Sequence, residues 1–144
     1  MDTKDFVFPE QYGDACFSSD NGWADINDWF SIAQFLPTLG DELKALPAPK
    51  NMSKTIYMIH MPPADLNLDV CMNGDRPASM ATLDFLLKQQ PLLSLHGHIH
   101  ESFLMTGIWK AHLGKTICVQ PGQYGFKPVY VLIDTDTMEM ERFE

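Results

Sequence analysis

The chain has 144 residues, the length of one domain of ordinary size, and its 45% apolar and 20% charged residues make it globular in composition rather than disordered. Nineteen acidic against ten basic side chains give a formal net charge of −9, which disfavours nucleic acid and anionic membranes, whose binding relies on Lys and Arg displacing counterions. Three cysteines without CxxC spacing, no signal-like start and no apolar run near the ~18 residues a membrane span needs point to a reduced, cytoplasmic chain with no membrane segment.

Up to about Pro49 the sequence is rich in Asp, Asn, Ser, Gly and aromatic residues. It reads as loop, a helical stretch near 24–36 and a short helix over Thr38 to Leu46. Leu36, Leu39, Leu43 and Leu46 have the spacing of one apolar stripe on that second helix. From Lys54 the pattern becomes strand, helix, strand. Lys54 to His60 is short, apolar and β-branched and is closed by Pro62-Pro63, which predicts a buried strand. Ser79 is placed to cap a helix in which Met80, Leu83, Leu86 and Leu87 form the apolar face, ending near Gln90-Pro91. A second buried strand follows over Pro91 to His96. Two strands joined through a helix predict a βαβ unit at 54–97 with parallel strands, so the segments after both strands share one sheet edge. Lys115 to Gln120 reads as a further strand ending at Pro121-Gly122. Pro128 to Asp134 and Met138 to Phe143 read as a hairpin.

All five histidines lie between positions 60 and 112, and the topology gathers His60 with the Gly97-His98-Ile99-His100 segment. Neutral imidazole is the commonest side-chain metal ligand. In an extended segment the i, i+2 spacing of His98 and His100 puts both rings on one side, and Gly97 allows a close backbone approach. His60 would add the third donor from the neighbouring strand. His60, His98 and His100 are therefore the candidate metal ligands. His96, inside the strand, reads as a packed histidine, and His112 as a surface one. Asp65 and Asp69 read as loop caps, with metal binding the alternative. Arg76 reads as a solvated side chain, with a substrate phosphate the alternative. Cys118 and the methionines read as packing. Trp23 and Trp29 read as packing too, with stacking on a base or sugar the alternative.

His60-Met-Pro-Pro63, then Leu95-His-Gly-His-Ile-His-Glu-Ser102, then Gln120-Pro-Gly122, resemble in order and spacing the C-terminal half of calcineurin-like metallophosphoesterases, of the bacterial and archaeal branch with a GHIHES-type loop. The resemblance covers residues 50 to 144. It implies an α/β (α+β) fold, the C-terminal part of a two-sheet β-sandwich flanked by helices. It further implies a site for two divalent ions (Mn, Fe, Zn or Ni), with His60 and His98 resembling the ligands of the second metal and His100 a ligand of the first. The implied activity is hydrolysis of a phosphate-ester small molecule. The family's DxH, GD and GNH motifs have no counterpart: the chain contains no Asp-x-His and no Asn-His sequence, and its Gly-Asp pairs lack the matching context. Residues 1–144 thus read as a single, incomplete domain, with 1–50 a variable segment and 51–144 the core. Such a truncated or split chain should hold one metal or none and have little or no activity alone. The alternatives are a catalytically degenerate binding module of the same fold and a subunit complemented by a partner chain. An incomplete fold exposes sheet edges and apolar surface, which predicts a homo-oligomer or a partner subunit.

Overall fold

The computed structural model describes residues 15–19, 21–26, 31 and 35–144, along which helices and strands mix in an α/β arrangement. The chain divides into two compact units, Met1–Leu46 and Pro47–Glu144.

In the first unit, β1 (Ala15–Ser19) and β2 (Gly22–Ile26) form an antiparallel hairpin with Ser19 opposite Gly22. This overturns the start of the helix expected near 24–36, since 24–26 belong to β2. Gly22, opposite Ser19 at the turn, sits at φ +102°, which a side chain would resist. Most of the remaining expected helix, with Trp29, lies outside the described residues, as do the side chains of Cys16 and Trp23. The short helix is present as α1 (Leu39–Ala45), opened by a capping box in which the Thr38 side chain accepts the Asp41 amide at 3.1 Å. Of the expected leucine stripe only Leu43 is buried, because Leu36 and Leu46 fall beyond the ends of a helix of seven residues.

The second unit opens with a single 3-10 turn (Met52–Lys54) and continues as β3 (Ile56–Met58), α2 (Met80–Gln89) and β4 (Leu93–Leu95). Then come α3 (Ser102–Thr106), β5 (Lys110–Leu113), β6 (Thr116–Val119), β7 (Tyr130–Ile133) and β8 (Met140–Phe143). The sheet order is β3-β4-β6-β5, and β7 pairs with β8 in a separate hairpin. β3, β4 and β6 run parallel, with Tyr57 opposite Ser94 and Ser94 opposite Cys118, while β5 is antiparallel to β6. The βαβ unit is therefore as the sequence predicts. Neither α3 nor β5 is expected from the sequence. β5 forms because Gly114-Lys115 turns the chain back onto β6, and Gln90 secures that turn by accepting the Lys115 amide at 2.7 Å and donating to the Leu113 carbonyl at 3.2 Å.

α2 starts at the predicted Ser79, whose buried hydroxyl accepts the Thr82 amide at 2.9 Å, and stops where Gln90 turns left-handed at φ +50°. Its buried face is Ala81, Thr82, Leu83, Phe85 and Leu86. Leu87, expected on that face, is half exposed, because Phe85 takes its place against the sheet. Tyr57 of β3 meets Phe85 edge-on at 5.0 Å. β4 and β6 are central, and Leu93, Cys118 and Val119 are core residues along with Leu68 and Leu86. The sequence predicts a buried β3, and the structure differs: Ile56 is 41% and Met58 83% exposed. Among the described residues β3 ends the sheet, with Tyr57 turned to α2 and Ile56 and Met58 on the exposed face.

Candidate functional site

The parallel pairing of β3 with β4 continues past both strands. The Ile59 amide donates to the Leu95 carbonyl at 3.0 Å and the Gly97 amide donates to the His60 carbonyl at 3.0 Å, which carries His60 and the glycine-led loop to the same sheet edge. The rings of His60 and His98 meet there with centroids 5.1 Å apart and planes at 83°. Gly97 eases the approach: a Cβ at this position would lie 3.3 Å from His60 Nδ1, a tight contact that would push the ring back by a few tenths of an ångström.

His98 has φ +71°, in the left-handed region. A non-glycine residue pays for that conformation with about 1 kcal/mol or more, and such strain recurs where a side chain must be aimed. This corrects the extended geometry expected for His98-Ile99-His100. His98 turns to His60, whereas His100 is exposed and lines a different cavity with Phe103 and Arg142. The three imidazoles remain within electrostatic reach. Burial, and then the charges of His60 and His100, lower the pKa of His98, with Glu101 acting in the opposite direction. Among the described residues no three His, Cys, Asp or Glu side chains are grouped closely enough to hold a metal ion.

His96 is the packed histidine the sequence predicts. The residue is 8% exposed, and Nδ1 lies 2.8 Å from the Ile59 carbonyl, which can only accept, so Nδ1 carries the proton and donates. Burial pushes its pKa down to about 4, offset only in part by the carbonyls of Ile59 and Met61. Nε2 is buried without a hydrogen-bond partner. His112 is exposed, as expected.

The loop after Pro63 is stitched to the histidine loop. Val70 donates its amide to Ser102 Oγ at 3.2 Å, and Met72 donates to Glu101 Oε1 at 3.3 Å. Asp69 is 1% exposed, and burial raises its pKa against the pull of Arg76, whose guanidinium stands 3.6 Å away. Arg76 is exposed, as expected, and its head group also donates to Asn67 Oδ1 at 2.8 Å within the loop.

Gln120 is the residue that sequence reasoning missed. It is 2% exposed, its Nε2 donates to the carbonyls of Ile99 at 2.7 Å and Leu68 at 3.3 Å, and its Oε1 accepts the Gly122 amide at 3.2 Å. One side chain thereby binds the end of β6, the histidine loop and the loop after β3. The signal available in the sequence is an amide side chain at the end of an apolar strand, immediately before Pro121-Gly122.

No family model, no curated protein and no solved structure matches this chain.

Proposed function

We propose that this chain provides the imidazole side of a metal-dependent phosphoester hydrolase of the calcineurin-like type. The observation that supports the reading is the His60–His98 pair, brought to one sheet edge by parallel strands and given room by Gly97. Two neutral nitrogen donors suit Mn, Fe, Zn or Ni, and they leave coordination positions open for carboxylates and water. When bound, such ions lower the pKa of a metal-bound water and neutralise phosphate oxygens. His60 and His98 would hold one ion, whereas His100, expected as a ligand of a second, faces a different cavity and adds no donor to this pair. Gln120, Glu101 and Ser102 hold the loop that carries the last two histidines. A cation at this edge would also let a phosphate-ester small molecule approach a chain with a net charge of −9.

The sequence has no Asp-x-His and no Asn-His, so these 144 residues do not supply the family's bridging carboxylate, and a complementing polypeptide that carries it would complete the site. Alone, the chain binds metal and turns over phosphoesters poorly. A second reading, a degenerate binding module in the cytoplasm, is favoured by the absence of a three-donor group among the described residues.

The test is calorimetric titration of the chelator-treated chain with manganese or zinc, alongside p-nitrophenyl phosphate and bis-p-nitrophenyl phosphate assays. Binding of about one ion per chain is expected, weakened about tenfold or more in His60→Ala and His98→Ala, since an open site loses one of its few protein ligands. Variants that bind metal as well as the parent would overturn the assignment. Stoichiometric metal with no turnover in any assembly state would leave the binding module as the function.

A further inference from the structure

Arg142, on β8, is a charged side chain with only 10% of its surface exposed, and three contacts fix it. Nε donates to the Pro121 carbonyl at 2.8 Å, Nη1 donates to Glu144 Oε2 at 2.8 Å, and the guanidinium carbon stands 3.6 Å over the Phe103 ring. None of the described residues accepts a hydrogen bond from Nη2. This guanidinium lines a cavity of ≈ 220 Å³, walled by Phe103 and Leu104, bordered by Gly122 and Tyr124, and reaching His100.

We propose that the cavity is an anion site that takes the phosphate of a small phosphate-bearing molecule. A guanidinium held in place by its own stacking and backbone contact loses little freedom when it binds an oxyanion, and its fork matches phosphate oxygens. Glu144 already occupies Nη1 with a carboxylate, and it is 60% exposed, so it can swing into solvent when a more highly charged anion arrives. At roughly 30 Å³ per water, the volume admits a phosphate with several attached heavy atoms, for which Phe103 and Leu104 offer an apolar wall. The location of the cavity beside His100 makes it a subsite for the proposed hydrolase, and in that role it rests on the hydrolase reading. As an anion site it does not, because neither His60 nor His98 lines it.

The experiment is titration of the full, chelator-treated chain with inorganic phosphate, followed by nitrogen-15 NMR of the Arg142 side chain and of the Gly122, Gln123 and Tyr124 amides. Saturable shifts at these groups are expected, weakened about tenfold in Arg142→Gln. Glu144→Gln should bind phosphate about threefold tighter, because an exposed competing ion pair is removed. His60→Ala should bind phosphate as the parent does, so a failure of the metal reading leaves this result untouched. Shifts that do not saturate, shifts confined to Gly97 and His98, or unchanged affinity in Arg142→Gln would overturn the proposal. Should Arg142→Gln fail to fold, Glu144→Gln decides: no tightening would overturn it equally.

Discussion

A single side chain, Gln120, ties three loops together around the histidine edge. Replacing it with Leu removes its three hydrogen bonds and strands the Leu68 carbonyl and the Gly122 amide in a buried setting, while the Ile99 carbonyl keeps only the Ser102 amide at 3.3 Å. At about 1–3 kcal/mol for each buried polar group left unpaired, Gln120→Leu should lose roughly 3 kcal/mol of stability, read from the midpoint of a urea transition. His96 sets a pH dependence of opposite origin, burial rather than pairing. Its folded pKa of about 4 lies below the unfolded value of 6.5, so between these limits the unfolded chain binds more protons. Stability is therefore undiminished above pH 6.5 and declines as pH falls toward about 4, by at most of the order of 3 kcal/mol. Urea midpoints measured across that window should fall for the parent and fall less for His96→Gln.

At the scale of elements, α2 owes its position to its ends as much as to its face. The Ser79 hydroxyl satisfies the Thr82 amide, and the Ser79 backbone exchanges hydrogen bonds with Pro62 and Ala64, so the cap also anchors the start of the loop after β3. Ser79→Ala should cost about 1–2 kcal/mol, the upper part of the usual range for caps because the site is fully buried. Thermal denaturation followed by circular dichroism would show it as a lowered midpoint with the helical signal retained below the transition. The cap was legible because Ser before an apolar period has few other uses. The exchange of Leu87 for Phe85 on the buried face was not legible, because helical period allows either neighbour and only the contact with Tyr57 chooses.

For the whole molecule, the β3 edge of the four-stranded sheet is the feature with consequences. Among the described residues β3 ends the sheet, and Met58 is 83% exposed at that edge, where a strand can add to the sheet. Tyr130 and Leu132 of β7 add exposed apolar surface on the second sheet. Association that grows with protein concentration is expected, and Met58→Lys should suppress it in light scattering without lowering the thermal midpoint. No helix among the described residues is long and apolar enough to cross a membrane.

The sequence by itself determined the βαβ unit, the hairpin of β7 and β8, the cap of α2 and the gathering of His60 with His98. Each follows from local rules: proline ends a strand, serine caps a helix, and a helical crossover makes the strands parallel. Only the tertiary structure decided that Ile56 and Met58 of β3 are exposed, that His98 turns left-handed so that His100 faces another cavity, and that Gln120 and Arg142 are held in place. Those outcomes depend on groups distant in the chain, such as the Leu68 carbonyl beneath Gln120 and the Phe103 ring beneath Arg142. Spacing along a sequence sets which way a side chain can point, and packing against distant partners sets which way it does.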